Sequence, residues 1–179
     1  MYSRNSISKI SYTDSTDGGI TWGTYQTDNN LSYTGNCMIS FINIEGIITD
    51  TKTNQEYTNL IVASYPKTSV RKDGVIRIGS MDKDGKVTWL NTDDVRYNGY
   101  YGYSNITQLS NEKTLALSYE DSLGSIKYTT LIIDDLLPTN YKFNYIVNPN
   151  TYDDIGTYIA LMLFSITGLI YIYIKKSIY

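Results

Sequence analysis

A turn sequence that ends in Thr-Trp occurs twice in the first half of the chain, and it restricts the fold more than any other feature. The first copy spans residues 15–22 and reads Ser-Thr-Asp-Gly-Gly-Ile-Thr-Trp. Asp17 can accept hydrogen bonds from turn amides there, and the glycines after it can adopt positive φ. The second copy, residues 82–89, keeps Asp84, the first glycine and Thr-Trp, while Asp82 replaces the serine and Lys86 the second glycine. A turn repeated in this way predicts successive four-stranded antiparallel units.

Runs of residues with strand-like alternation lie around these turns. Asn, Asp, Gly and Thr separate the runs, and residues 45–57 are predicted to form a polar hairpin between two of them. No segment of residues 1–137 has a convincing helical period. The sequence therefore predicts an all-β domain over residues 1–137, with strands at 6–12, 36–44, 59–64, 75–80, 104–109, 114–119 and 126–133.

Twenty consecutive residues near the C-terminus, 155–174, carry no charge. At about 1.5 Å per residue, a helix of this length crosses a hydrocarbon core of about 30 Å. Tyrosines lie near both ends of the stretch, where amphipathic rings favour the membrane interface. We expect a transmembrane helix at 155–174, with a stalk at 138–154 before it and a short tail at 175–179 after it. The alternative is a helix buried in a globular core.

Two signals disagree about the orientation of this span. Lys175 and Lys176 directly follow the apolar stretch, which predicts a cytoplasmic tail and an extracellular domain. The residues after Met1 lack the charged and apolar regions of a signal peptide, which predicts a cytosolic domain. We follow the lysines, because the first residues resemble an interior segment of a larger protein. The expected arrangement is a single-pass membrane protein with its β domain outside the cell.

Composition excludes several classes of function. The chain has 179 residues, a net charge of −3, one cysteine and no histidine. The weak acidity argues against a nucleic-acid partner, because no basic block exists to neutralise phosphates. Cys37 cannot form an intrachain disulfide, and its apolar neighbours predict a core position. Without histidine, any chemistry has to use carboxylates, tyrosine, lysine or arginine.

Residues 97–110 contain four tyrosines around two glycines, followed by a strand-like alternation. Aromatic residues favour strands, so packing on a twisted sheet is the ordinary explanation for these tyrosines. The order of the motifs that follow adds a more specific interpretation. Gly-Tyr-Ser at 102–104 precedes the turn Gln-Leu-Ser-Asn at 108–111, the strand Leu-Ser-Tyr-Glu at 117–120 and a further tyrosine-containing strand.

This order resembles the end of the catalytic domain of bacterial-type exo-α-sialidases (neuraminidases), over roughly residues 1–136. In that family the turn sequence at 15–22 is the Asp box, or BNR repeat, which is structural and lies away from the active site. The resemblance implies a partial six-bladed β-propeller, with about two to three blades of four-stranded antiparallel sheet, in residues 1–137. It also implies sialic-acid-terminated glycans as partners and requires neither a metal nor an organic cofactor.

Four residues match positions that the family uses. Tyr103 matches the nucleophile, and Arg71 matches the third arginine of a triad that binds the substrate carboxylate, in the pattern Arg-x-x-Gly-x-x-x-Ile-Gly. Arg4 matches the second arginine, and Glu120 the glutamate that orients the first. Arg77 is a weaker candidate within the same pattern as Arg71. The alternative is that these arginines are solvated surface residues and that the glutamate is an ordinary strand-end charge.

The chemistry explains why these residue types belong together. Sialic acid carries a carboxylate on its anomeric carbon, so a planar guanidinium can bind it through two hydrogen bonds. A carboxylate nucleophile would be repelled by that substrate, whereas a neutral tyrosine is not. A phenol is a poor nucleophile unless a neighbouring base removes its proton.

The first triad arginine, the acid/base aspartate and the glutamate paired with the nucleophile would lie upstream of the matched region. We therefore expect the chain to be a C-terminal portion of a membrane-anchored exo-α-sialidase that does not hydrolyse sialosides alone. A non-catalytic membrane-anchored propeller, acting as a sialic-acid-binding module or adhesin, is the main alternative. A purely structural β domain is the other.

Overall fold

Antiparallel β-strands make up the part of the chain that the computed structural model describes, residues 1–4, 9–31, 37–110, 113–122 and 124–146. The first sheet contains three short strands, β1 (Tyr2–Arg4), β2 (Ile10–Tyr12) and β3 (Gln26–Thr27). The second contains β4 (Ser40–Ile44), β7 (Leu60–Pro66), β8 (Lys72–Met81), β9 (Val87–Trp89) and β10 (Val95–Tyr100). Both β9 and β10 pair with the long strand β8.

Two further sheets complete the described residues. The third sheet contains β5 (Ile47–Asp50), β6 (Glu56–Tyr57) and β14 (Tyr141–Asn144). The fourth sheet contains β11 (Gly102–Gln108), β12 (Thr114–Ser122) and β13 (Ser125–Ile132). A single 3₁₀ turn, Asp134–Leu136, lies between β13 and β14. The prediction of an all-β domain is confirmed for the described residues, which contain no α-helix.

The core lies on both faces of the second sheet. Along β7, the side chains of Leu60 and Val62 enter a large cluster with residues of β11, β12 and β14, while Ala63 and Tyr65 face a smaller cluster that contains Ile10. Successive side chains of a strand point to opposite faces, so a strand covered on both faces has to be apolar at consecutive positions. This explains why β7 reads Leu-Ile-Val-Ala-Ser-Tyr-Pro without polar alternation and is buried along its whole length.

The predicted hairpin at 45–57 is confirmed as β5 and β6, which pair antiparallel. It is inserted between β4 and β7, which are neighbours in the second sheet. Its strand β5 also pairs with β14, so the sheet reaches into the range that the sequence predicts as a stalk. In the described residues no helix is long and apolar enough to cross a membrane; the predicted span at 155–174 and the tail at 175–179 lie outside those residues.

The turn at 15–22 forms the hydrogen bonds that its sequence predicts. The carboxylate of Asp17 accepts bonds from the amides of Ile20 and Thr21 at 2.9–3.0 Å and from the Thr21 hydroxyl at 2.6 Å. The hydroxyl of Ser15 accepts the amide of Gly19 at 2.7 Å, and Gly19 has φ +91°. The aspartate therefore satisfies amides that no strand partner reaches.

The second copy of the turn closes through a different side chain. Asp82, not Asp84, accepts the amides of residues 84 and 86, at 3.0 and 2.9 Å. These are the positions that Ser15 serves in the first copy, so a carboxylate has replaced a hydroxyl in the same role. Gly85 retains the positive φ, +79°. Both copies therefore make a turn, but the third residue of the motif, Asp17 in the first copy, accepts turn amides only there.

Candidate functional site

The tyrosine-rich stretch carries the chain from the second sheet to the fourth. Strand β10 pairs with β8, and β11, which begins two residues later, pairs with β12. Tyr101 lies between the two strands and is fully buried, with its ring stacked 4.5 Å from Tyr119 and 5.7 Å from Tyr97. Packing therefore explains Tyr97 and Tyr101. It does not explain Tyr103, whose side chain is 41% exposed.

Tyr103 lies on a β-bulge. Gly102 pairs with Glu120 and Asn105 with Ser118, so two residues of β11 oppose a single residue of β12. Tyr103 has φ +42°, in the left-handed region that costs a residue with a Cβ about 1–2 kcal/mol. A backbone conformation of this kind is strained, and it persists only where the surrounding structure holds it. Through the bulge the strand keeps its alternation of buried and exposed side chains, with Tyr103 on the exposed side.

Arg71 is the last residue of the turn between β7 and β8. Its amide donates to the Thr68 carbonyl at 3.3 Å, and its φ is +56°. Its own carbonyl accepts the Tyr101 amide at 2.7 Å, which ties this turn to the crossover between the sheets. The turn therefore presents Arg71 next to the start of β11.

The side chains of Arg71 and Tyr103 are in direct contact. Arg71 Nη2 donates to Tyr103 Oη at 2.9 Å, and Arg71 Cζ lies 4.6 Å from the centre of the Tyr103 ring. The hydrogen bond with the Tyr100 hydroxyl, and then the contact with Tyr103, hold the pKa of Arg71 above its ordinary value. Arginine is in any case always charged in proteins. The structure thus brings together two of the four predicted site residues.

Glu120 lies one strand away from this pair. A Cβ at Gly102 would lie 3.0 Å from Glu120 Oε2 and 3.5 Å from Tyr100 Oη, so the carboxylate and the Tyr100 hydroxyl border the same glycine. Glu120 therefore lies next to the tyrosine that interacts with Arg71. A larger residue at position 102 would push the carboxylate away.

Arg4 and Arg77 were the other two candidate arginines. Arg4 ends β1, where its backbone pairs with Ile10, and its side chain lies outside the described residues. Arg77 is 7% exposed and donates to the carbonyl of Asn30 at 3.1 Å. Its guanidinium is 3.7 Å from Asp93 Oδ1 and 5.1 Å from the Trp89 ring. Arg77 is thus a buried structural cation of the second sheet.

The two glycines of the arginine pattern have a packing explanation. A Cβ at Gly74 would lie 2.3 Å from the Tyr101 ring, and a Cβ at Gly79 would lie 2.8 Å from Val87 and 2.9 Å from Trp89. Only glycine lets these rings and side chains approach the strand backbone so closely. Packing on β8 is therefore enough to explain the glycines of the pattern, independently of the arginine at its start.

Sequence reasoning missed the residues that support Tyr103. Cys37, which was predicted to be in the core, is fully buried, and its Sγ accepts the Tyr103 amide at 3.4 Å. Ser64 and Ser104 are buried and bonded to each other at 2.7 Å. A serine in an apolar strand such as β7 was the one available signal, because a buried hydroxyl requires a partner.

A polar cleft of about 420 Å³ lies between the first sheet and the second Thr-Trp turn. Tyr2, Tyr12, Asp14, Asp84 and Lys86 are among its lining residues. None of Arg71, Tyr103 and Glu120 lines it. Within the residues that the structure describes, no group of three or more histidine, cysteine, aspartate or glutamate side chains could hold a metal ion.

The chain matches no model of a known protein family. No curated protein sequence is similar to it either. A functional assignment therefore depends on what the cluster can do chemically. It offers a fixed cation, which can bind an anionic group, in contact with an exposed phenol, which can attack or hydrogen-bond a group held there.

Proposed function

We propose that the chain carries the nucleophile half of an exo-α-sialidase site, which removes terminal sialic acid from glycoconjugates with retention of configuration. The observation that supports this most directly is the contact of Arg71 Nη2 with Tyr103 Oη at 2.9 Å. The substrate has its carboxylate on the carbon that is attacked, so the cation and the nucleophile have to be neighbours.

The reaction assigns a separate task to each group. Arg71 binds the substrate carboxylate, with Arg4 as a second clamp. Glu120 orients the first arginine of the triad, which lies upstream in the family resemblance. Arginine is a donor only, so its bond to Tyr103 Oη does not use the phenol proton, which stays available to a base. The oxygen of Tyr103 attacks the anomeric carbon, and the bond to the leaving oxygen breaks with its electron pair. A general acid, an upstream aspartate in the family resemblance, protonates that oxygen.

Water then attacks the anomeric carbon of the tyrosyl intermediate and displaces the phenolate. Two inversions at one carbon give overall retention. No step of this scheme needs a metal or an organic cofactor.

The fold supports the same proposal. Antiparallel sheets that cover both faces of a central sheet, together with an Asp-box turn, are what neighbouring blades of a propeller require. The membrane span proposed at 155–174 would hold these blades at the cell surface, with the lysines at 175 and 176 inside.

A fluorinated substrate analogue tests the nucleophile without the general acid. In a sialic acid with fluorine at carbons 2 and 3, fluoride leaves without being protonated, and the second fluorine slows hydrolysis of the covalent intermediate. We expect incubation with the full chain in detergent at about pH 10, where a phenol can ionise without a neighbouring base, to add one sugar to the tryptic peptide that contains Tyr103. Tyr103→Phe should abolish the adduct, and Arg71→Ala should slow its formation about tenfold or more, because a charge-assisted bond is lost.

Tyr128→Phe is the matched control, since Tyr128 is 67% exposed and lies on β13. It should leave the adduct unchanged. An adduct on several exposed tyrosines, or one that survives Tyr103→Phe, would contradict the proposed nucleophile. Absence of an adduct with retained binding of a sialylated trisaccharide, measured by saturation-transfer NMR, would support the binding-module alternative. Absence of both would leave a structural β domain.

A further inference from the structure

The structure assigns to Ser64 the role of a positioning residue that holds the Tyr103 bulge, an inference that rests on the proposed role of Tyr103. Ser64 lies on β7, in the second sheet, whereas the bulge lies on β11, in the fourth. Ser64 bonds both to Tyr101 and to Ser104, the residues that flank Gly102 and Tyr103. All three of these side chains are fully buried.

The direction of each hydrogen bond in this group follows from counting protons. Ser104 Oγ donates to the Ser64 carbonyl at 3.2 Å, and Ser64 Oγ donates to Ser104 Oγ at 2.7 Å. A serine hydroxyl has one proton, so the 2.7 Å contact between Ser64 Oγ and Tyr101 Oη is a bond that Tyr101 donates. Burial raises the pKa of Tyr101, which keeps this proton in place. Each of the three hydroxyls therefore donates, and Ser64 connects the other two.

Anchors on both sides explain how Tyr103 keeps a left-handed backbone. Tyr101 is held by Ser64 and by the packing of its ring on Gly74, and Ser104 is held twice by Ser64. The amide of Tyr103, between them, donates to Cys37 Sγ. A strained φ persists only when its surroundings determine it from several directions. The Ser64 hydroxyl thus bonds to the residues on both flanks of the bulge.

Removing the Ser64 hydroxyl should release the bulge. In Ser64→Ala the buried Tyr101 hydroxyl loses its acceptor and Ser104 loses the proton that it accepts, which is unfavourable for buried polar groups. Thr13→Val is the matched control. Thr13 is 1% exposed and donates to the Gly23 carbonyl at 2.7 Å, but it lies directly after β2, in the first sheet's hairpin with β3. It should lose a comparable buried bond without changing Tyr103.

The Tyr103 amide can be observed alone. The sequence contains two Gly-Tyr pairs, at 99–100 and 102–103, so labelling glycine with ¹³C at the carbonyl and tyrosine with ¹⁵N gives two signals in a carbonyl-selected spectrum. Tyr103→Phe assigns them. In the full chain, we expect Ser64→Ala to raise the hydrogen-exchange rate of the Tyr103 amide about tenfold or more, and Thr13→Val to leave it unchanged. Ser64→Ala should slow labelling by the difluorinated sugar in parallel.

An unchanged Tyr103 amide in Ser64→Ala, or an equal change in Thr13→Val, would overturn the assignment. Should Ser64→Ala fail to fold, Tyr101→Phe removes the hydrogen bond from Tyr101 to Ser64 while keeping the ring. The exchange rate of the Tyr103 amide in Tyr101→Phe then tests the assignment: an unchanged rate overturns it. The two proposals fail separately. If the wild-type chain is never labelled, the nucleophile proposal fails, while the exchange measurement still shows whether Ser64 holds the bulge.

Discussion

At the scale of single residues, the candidate site is built from side chains in unusual backbone positions. Arg71 and Tyr103 both have positive φ, and neither is a glycine. Their side chains meet across two irregular positions, the end of the β7–β8 turn and the bulge of β11. Strained positions of this kind are concentrated at functional sites, which is why the bulge supports the proposed role of Tyr103.

Gly74 provides a stability test of the surface on which Tyr101 rests. In Gly74→Ala the new methyl group would lie 2.3 Å from the Tyr101 ring, so the ring or β8 has to move. We expect a loss of about 1–3 kcal/mol in the free energy of unfolding, as for other overpacked cores. Urea denaturation measures it.

Gly23→Ala is the matched control, because a methyl group there would lie 3.5 Å from the nearest atom, an ordinary contact. It should change the free energy of unfolding much less. Equal effects of the two substitutions would mean that Tyr101 does not rest on Gly74.

At the scale of elements, the two Thr-Trp turns show how one motif can be closed by different atoms. In the first copy Asp17 and Ser15 share the turn amides, and in the second Asp82 accepts them. The sequence pattern predicted the turns, because glycines and acidic or hydroxyl side chains are local signals. It did not predict the exchange of roles, since which oxygen reaches which amide depends on the exact turn geometry.

The first turn should have a distinctive pH dependence. Hydrogen bonds from the hydroxyl and amide of Thr21, and then from Ser15, lower the pKa of Asp17 from 3.8 to about 2. A lowered folded-state pKa contributes stability that is fully present above the unfolded value and is lost as the pH falls through the folded value. The turn should therefore keep its contribution above about pH 4 and lose it between there and about pH 2.

A ¹³C NMR titration of the Asp17 carboxyl, assigned with Asp17→Asn, measures this pKa directly. Thr21→Val removes the largest cause of the shift and should move the midpoint back towards 3.8. A wild-type midpoint that is already near 3.8 would show that these hydrogen bonds do not form in solution.

At the scale of the whole molecule, the second sheet is central, because side chains on both of its faces pack against other parts of the described structure. It separates the two core clusters, and its strand β7 carries Ser64. The proposed site is therefore supported from the best-buried strand of the described residues, while Tyr103 itself remains exposed. This arrangement combines a rigid support with an accessible reactive group.

Membrane attachment is the prediction that belongs to this scale. We expect the expressed chain to sediment with membranes, to resist extraction by alkaline carbonate and to be released by detergent. Arginine at the middle of a span costs about 2.5–3.5 kcal/mol on insertion scales, so the double substitution Leu163→Arg and Ile166→Arg should shift the chain to the soluble or aggregated fraction. Recovery of the wild-type chain in the carbonate wash would contradict the proposed span. Substituting serine for Lys175 and Lys176 should leave the attachment and test only the orientation.

The sequence alone named Arg71 and Tyr103 as candidates, but it did not name Ser64 or Ser104, which support the bulge. Arg71 and Tyr103 were identified from motifs, and the structure places them in contact although they are 32 residues apart. Strand β10 is not among the predicted strands, because its glycine and asparagine favour turns, yet pairing with β8 keeps it extended. Strand β14 was taken for a stalk, because nothing in its four residues indicates the partner, β5, that makes it a strand.

What the sequence determined by itself are the features that depend on neighbouring residues: the all-β character, the two hairpin turns and the apolar stretch at 155–174. Periodicity, turn chemistry and an uninterrupted lack of charge are local properties that can be read along the chain. Only the tertiary structure decided that Tyr103 lies on a bulge, that Cys37 and Ser64 hold it, and that Arg77 is buried. These depend on strand register and on contacts between residues far apart in the sequence, which no local pattern specifies.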